Sequence, residues 1–306
     1  MKLNYKVLTI SLLWGITSSC EQQCDIVFGT GLKNTVQMKE SASLAKTAKL
    51  TVLETKDQGR DIRYSYYFKE AGEEMPFRVC SPEGWDGKSP LPLVMFLHGG
   101  WNDENSYLDQ NDRQLIKLAG AHGYLLVSPL GCHASYGNRL ILPAEFGRDE
   151  EATEILAKTT AEKMQEQELS EKDIINVLEI VLENYPIDRD NMFLTGHSMG
   201  SGGTWYLGNK YRVYWKALAM MSGPFALKDG YPWRRIKKMP IFISEGTLAT
   251  ASLRSSRELR DYAEIIGLNY TYKEVEGDHG GMVPMILPDV FTFFDRQRSK
   301  SSGRFR

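Results

Sequence analysis

Five unbroken apolar stretches limit what this chain can fold into: residues 93–97, 124–127, 192–194, 217–221 and 241–243. A strand with one wet face alternates apolar and polar residues, so a continuous run of strand length reads as a strand covered on both faces. Helical patterns lie between the runs. Residues 112–121 form one. A second is predicted to start at Ser170, where Ser170-x-x-Asp173 reads as a capping box ahead of an apolar stripe of Ile174, Val177, Leu178, Val181 and Leu182. Residues 255–266 form a third, closed by Gly267. Shorter strand signals at 50–54, 63–68 and 77–80 precede the first buried run. Buried strands alternating with helices predict an α/β fold, a mostly parallel central sheet with helices on both faces. Residues 132–168 read as a long insertion, and the charges at Arg148-Asp149-Glu150-Glu151 and over 162–168 as a solvated helix face.

Composition narrows the function classes. With 37 Lys+Arg against 39 Asp+Glu, the chain has no basic field to attract phosphate backbones, which argues against nucleic acid as a partner. A hydrophobic content of 42% is too high for a disordered chain. Four cysteines in 306 residues do not make a disulfide scaffold, and no Cys/His cluster has metal-ligand spacing. Cys80 and Cys132 both fall near predicted strand ends, where a bridge or two free thiols fit equally well.

One motif carries chemistry. Met192-Phe193-Leu194-Thr195-Gly196-His197-Ser198-Met199-Gly200 is a buried strand running into Gly-x-Ser-x-Gly, with a helix-length segment after it. The glycines leave room for a tight strand-to-helix turn that holds the Ser198 hydroxyl exposed above the sheet. The Met199 N–H, at the positive end of the following helix, then faces a developing oxyanion. Leu97-His98-Gly99-Gly100-Trp101 follows the most apolar run, and its backbone offers a second oxyanion donor from Gly100 or Trp101. His98 in that turn reads as structural. Trp101, Tyr107, Trp205, Tyr231 and Trp233 are candidates to line a sugar- or aromatic-binding cleft, with ordinary packing the simpler reading of each.

These residues, with 92–100, 185–203, Gly203-Thr204-Trp205 and 276–279, resemble the α/β-hydrolase superfamily, and within it the secreted esterase branch of polyhydroxybutyrate depolymerases, feruloyl and acetyl-xylan esterases and predicted peptidases. The resemblance implies an α/β-hydrolase fold over 47–298 and a serine hydrolase that needs no cofactor or metal and cleaves carboxylic esters through an acyl-enzyme. Small-molecule or polysaccharide esters are the implied substrates. Chain order implies that the base follows the last core strand (269–275), which selects His279 in Gly277-Asp278-His279-Gly280-Gly281. The acid departs from the pattern: residues 245–252 contain no aspartate, and Glu245 is their only carboxylate. Asp229 is the alternative. A peptidase of the same fold, and a non-catalytic glycan-binding lipoprotein with a degenerate triad, stay open beside the esterase reading.

The first 19 residues read as an export signal. Lys2 and Lys6 precede an apolar run, Val7-Leu8-Thr9-Ile10-Ser11-Leu12-Leu13-Trp14-Gly15-Ile16, then small residues. Cys20 follows directly, an arrangement that resembles a lipoprotein lipidation site. The expectation is an exported protein, membrane-anchored through a lipid on Cys20 or periplasmic or secreted, with 20–46 as a tether and 299–306 as a polar tail.

Overall fold

The computed structural model describes residues 43–132, 136–137, 160–223, 231–248 and 252–299. The expected signal segment, Cys20, Asp229, the charge run at 148–151 and all of the expected tail but Ser299 lie outside them. Nine strands form one sheet: β1 (Thr51–Lys56), β2 (Asp61–Phe68), β3 (Glu73–Cys80), β4 (Leu91–Leu97), β5 (Leu125–Pro129), β6 (Ile187–His197), β7 (Ala217–Met221), β8 (Ile241–Gly246) and β9 (Tyr270–Val275), in the order β1-β2-β3-β5-β4-β6-β7-β8-β9. From β1 to β5 the neighbours are antiparallel, and from β5 to β9 they are parallel. Each apolar run of the sequence lies in one of the parallel strands, except that Tyr124 precedes β5 by one residue.

The two faces of the sheet explain the unbroken runs. Along β4, Met95 and Leu97 enter one core and Val94 and Phe96 the other. The first core is closed by α2 (Ala161–Asn184), α3 (Met199–Lys210) and α4 (Leu253–Ile265), through residues such as Ile174, Val177, Leu178, Leu207 and Leu259. The second is closed by α1 (Gln114–Ala121) and α5 (Met282–Gln297), through Leu115, Ile286, Val290 and Phe294. Every side chain of such a strand therefore leaves water, and none needs to be polar. Among the described residues no helix is long and apolar enough to cross a membrane.

Two expectations are corrected, the helix start and the tether boundary, and two open alternatives are decided. Helix α2 begins at Ala161 with Thr160 as its N-cap, the hydroxyl accepting from the Lys163 N–H at 3.3 Å. Ser170 and Asp173 are instead buried inside it. The Ser170 hydroxyl donates to the Gly131 carbonyl and accepts from the Tyr136 N–H, while Asp173 accepts from the Tyr66 hydroxyl and the Gly131 N–H. A capping pattern inside a helix here serves tertiary contacts with the loop after β5. Burial pushes the Asp173 carboxyl up to about 7. Cys80 and Cys132 are both free thiols. Trp205, Tyr231 and Trp233 are buried against one another in the core, the ordinary packing that is the simpler reading of each. Finally, Ala45 is buried and Lys46 pairs with Glu179 at 2.9 Å, so these last two residues of the expected tether pack on the fold.

Candidate active site

The carboxyl ends of β4, β6, β7, β8 and β9 meet at one edge of the sheet, and the chemistry-bearing residues collect there. Ser198 joins β6 to α3 with φ 57° and ψ −118°, a conformation that non-glycine residues rarely adopt. The chain can turn so sharply only because its flanking residues lack side chains. A Cβ on Gly196 would run into the Gly200 carbonyl, and one on Gly200 into the Leu97 carbonyl. The resulting turn lifts the hydroxyl out of the sheet and starts α3 at Met199, with the helix's positive end beneath it.

His279 follows β9, and its Nε2 lies 2.9 Å from Ser198 Oγ, within reach for proton transfer. The turn after β4 comes close from the other side. A Cβ on Gly99 would lie 3.4 Å from the Ser198 Cβ, so the backbone of Gly99 borders the nucleophile, with Gly100 and Trp101 next along the turn. Trp101 has φ 59° and is fully exposed. His98 is buried between the carbonyl oxygens of Gly99 and Leu130, 2.8 Å from each, and the Tyr136 hydroxyl donates to the His98 carbonyl at 3.0 Å. Tyr136 occupies a slot whose walls include Gly131 and Gly203; a Cβ on Gly203 would lie 2.6 Å from the Tyr136 ring.

Glu245 is completely buried at the end of β8, and it does not touch His279. Between them stands Ser222, the residue after β7. Its Oγ lies 2.6 Å from Glu245 Oε1 and 2.7 Å from His279 Nδ1. Glu245 also accepts from the Ser256 hydroxyl at 2.6 Å and from the Gly246 N–H at 3.2 Å. The structure thus brings together Ser198, with Met199 next to it in the chain, His279 and, one hydroxyl removed, Glu245; Gly100 and Trp101 follow Gly99 in the turn beside them. Ser222 was missed by sequence reasoning. The available signal was its position directly after a buried run, at the strand end where catalytic side chains collect in such sheets. A search for a carboxylate passes over a serine. Among the described residues no group of three or more His, Cys, Asp or Glu side chains could hold a metal.

A strained serine between a parallel strand and a helix, in reach of a histidine beyond the last strand, belongs to the serine hydrolases of the α/β-hydrolase fold. Comparison with known families narrows the class. The esterase family model, described as “Putative esterase”, matches residues 69–281, and the chain belongs to that family; it is a carboxylic ester hydrolase. No curated protein matches the sequence. Similar solved structures include FphF, a fluorophosphonate-binding serine hydrolase of Staphylococcus aureus, at 18% identity over 78% of this chain and 98% of that one, with TM-score 0.58. An S-formylglutathione hydrolase from Agrobacterium tumefaciens is 14% identical over 81% of this chain and 100% of that one, with TM-score 0.58. The ferulic acid esterase AmCE1/Fae1A from Anaeromyces mucronatus, in complex with ferulic acid, is 18% identical over 80% of this chain and 93% of that one, with TM-score 0.57. At these identities the likeness establishes the shared fold.

Proposed function

We propose that Ser198 and His279 cleave esters through an acyl-enzyme, and that the substrates are acyl groups on polysaccharides met after export. The observation that carries the catalytic reading is the 2.9 Å contact between Ser198 Oγ and His279 Nε2 on a strained turn. Ser198 Oγ adds to the ester carbonyl carbon as its proton passes to His279 Nε2. The N–H of Met199 and that of Gly100 or Trp101 hold the negative charge that forms on the carbonyl oxygen. The imidazolium returns its proton to the leaving alcohol as the C–O bond breaks. Water then adds to the acyl-serine with the same histidine as base, and the acid departs.

The exposed Trp101 ring beside the oxyanion turn supports a substrate with a flat or sugar-like face. The ferulic acid bound by a similar structure is an acyl group of that kind. Lys2, Lys6, the apolar run after them and Cys20 support export, with the only membrane contact through a lipid on Cys20.

The test is burst kinetics with p-nitrophenyl acetate on the chain lacking residues 1–19, beside Ser198→Ala, followed by feruloylated and acetylated glycans. Turnover that Ser198→Ala abolishes, with acid released from at least one glycan, is the expected result. Turnover untouched by Ser198→Ala would overturn the catalytic assignment, and activity confined to small esters would overturn the polysaccharide assignment. Export is read separately, by fatty-acid labelling of the full chain that Cys20→Ala removes.

A further inference from the structure

Ser222 has three polar neighbours at its hydroxyl: Glu245 Oε1 at 2.6 Å, His279 Nδ1 at 2.7 Å and Ser252 Oγ at 3.3 Å. A hydroxyl donates one hydrogen bond and accepts two. A carboxylate oxygen can only accept. If Ser222 gave its proton to His279 Nδ1, two bare oxygens would face each other across 2.6 Å inside the protein. One assignment satisfies every contact: Ser222 donates to Glu245, and accepts from the Nδ1–H of His279 and the hydroxyl of Ser252. That choice fixes the imidazole tautomer, leaving Nε2 unprotonated and turned toward Ser198.

From this geometry, and resting on Ser198 and His279 as nucleophile and base, we infer that Ser222 is a positioning residue that relays the charge of Glu245 to the catalytic histidine. No proton moves along the relay. When His279 takes the Ser198 proton, its Nδ1–H stays bonded to Ser222, and the Ser222 hydroxyl stays bonded to Glu245. The carboxylate stabilises the imidazolium through a polarised hydroxyl rather than by touching it. The backbone around Ser222 fixes that hydroxyl in place, since the residue is buried, its φ is 46°, and its N–H donates to the Ser244 carbonyl at 2.9 Å. The arrangement also accounts for a carboxylate so early in its loop. Glu245 lies at the end of β8, and β7 ends beside it to supply the missing link.

The relay makes Ser222 and Glu245 act in series, which a set of variants reads directly. Glu245→Gln keeps the shape and removes the charge, and is expected to lower kcat about 10- to 100-fold. Ser222→Ala removes the acceptor for Nδ1 and cuts kcat about 100- to 1,000-fold, less than the roughly 10⁴-fold loss that follows removal of an acid in direct contact. Both leave KM for p-nitrophenyl acetate within about threefold, because neither residue contacts the ester. The double variant is no slower than Ser222→Ala alone. Ser222→Asp combined with Glu245→Gln puts the carboxylate in direct contact and regains most of the lost kcat.

Losses that multiply in the double variant, or a Ser222→Ala enzyme with parental kcat, overturn the relay. So does a Glu245→Gln protein whose thermal midpoint falls while kcat per folded molecule is unchanged, since Glu245 is then scaffold alone. A parent whose turnover survives Ser198→Ala fails differently, because it removes the hydrolase assignment before Ser222 is tested and the relay falls with it.

Discussion

The ring of His197 lies 4.6 Å from that of His279, centre to centre, and its Nε2 is 2.7 Å from the His279 carbonyl oxygen. A carbonyl only accepts, so Nε2 carries the proton and Nδ1 accepts from the Tyr107 hydroxyl at 2.5 Å. The Tyr107 hydroxyl in turn packs on Gly99, where a Cβ would lie 2.7 Å from it. Two hydrogen bonds and one close contact therefore run from the turn after β4 to the loop that carries His279. His197 ties the two halves of the site together through Tyr107 and the His279 carbonyl.

Burial, reinforced by the nearby His279, holds the His197 pKa at about 3, against 6.5 for a free imidazole. Between those values the unfolded chain binds a proton that the native state refuses, so stability falls as pH drops through the window. His197→Gln removes the titration. The thermal midpoint of the parent is expected to fall more steeply between about pH 6.5 and 4 than that of the variant. Parallel curves would show that His197 is not held neutral.

Gly200 has no room for a side chain, because a Cβ would overlap the Leu97 carbonyl, and a backbone carbonyl in the central strand cannot yield. Gly200→Ala is expected to cost about 3 kcal/mol in urea unfolding, near the upper end for overpacked sites. Gly280→Ala is the control. Its Cβ would meet nothing within 4 Å, and its stability should stay within about 0.5 kcal/mol of the parent. Equal losses in the two variants would remove the steric argument for the elbow.

What could be read from the sequence was whatever depends on local pattern. The buried strands announce themselves because a strand covered on both faces has no polar positions, and Gly196 and Gly200 because only a residue without Cβ fits the turn. Ser222 and Asp173 could not be read so. Each is an ordinary polar residue whose partners, His279 and Glu245 for one and Tyr66 and Gly131 for the other, are far away in the chain and meet it only in the folded sheet. Asp173 also illustrates how a local rule can mislead, since the same spacing that caps a helix from outside packs a loop from within. Trp205, Tyr231 and Trp233 lie near the motif in sequence or in aromatic character, yet they fill the core behind it.

Trp101 combines full exposure with a positive φ beside the nucleophile, a conformation that a bulky residue adopts at some cost. If its ring is a platform for the acyl or sugar group, Trp101→Ala raises KM for feruloyl esters about 10-fold and leaves kcat within about threefold, the signature of binding lost equally from ground and transition states. For p-nitrophenyl acetate the change in KM should be under about threefold. An equal effect on both substrates would mean that Trp101 shapes the oxyanion turn and does not contact the acyl group.

Arg78 is buried and lies against Asp61, its Nε and Nη2 each 2.7 Å from a carboxylate oxygen, and it reaches Asp109 at 2.8 Å and the Asn105 side-chain oxygen at 3.3 Å. Burial alone would raise the Asp61 carboxyl, but the hydrogen bonds and charge of Arg78 outweigh it and hold the group below the usual carboxylate range. Arg78→Met leaves the buried Asp61 carboxylate with Arg113 as its remaining cation, and is expected to cost about 3 kcal/mol, the low end for breaking a buried pair. Asp61→Asn together with Arg78→Met removes the half-compensated charge, leaves Arg113 its pair with Asp57, and should recover at least half of that loss. Because Asn105 and Asp109 flank Tyr107, which holds His197, both variants are also expected to lower kcat measured per folded molecule. A single-variant loss under about 1 kcal/mol in urea unfolding would show that Arg113 alone satisfies Asp61 and that the Arg78–Asp61 pair is not the anchor of this loop.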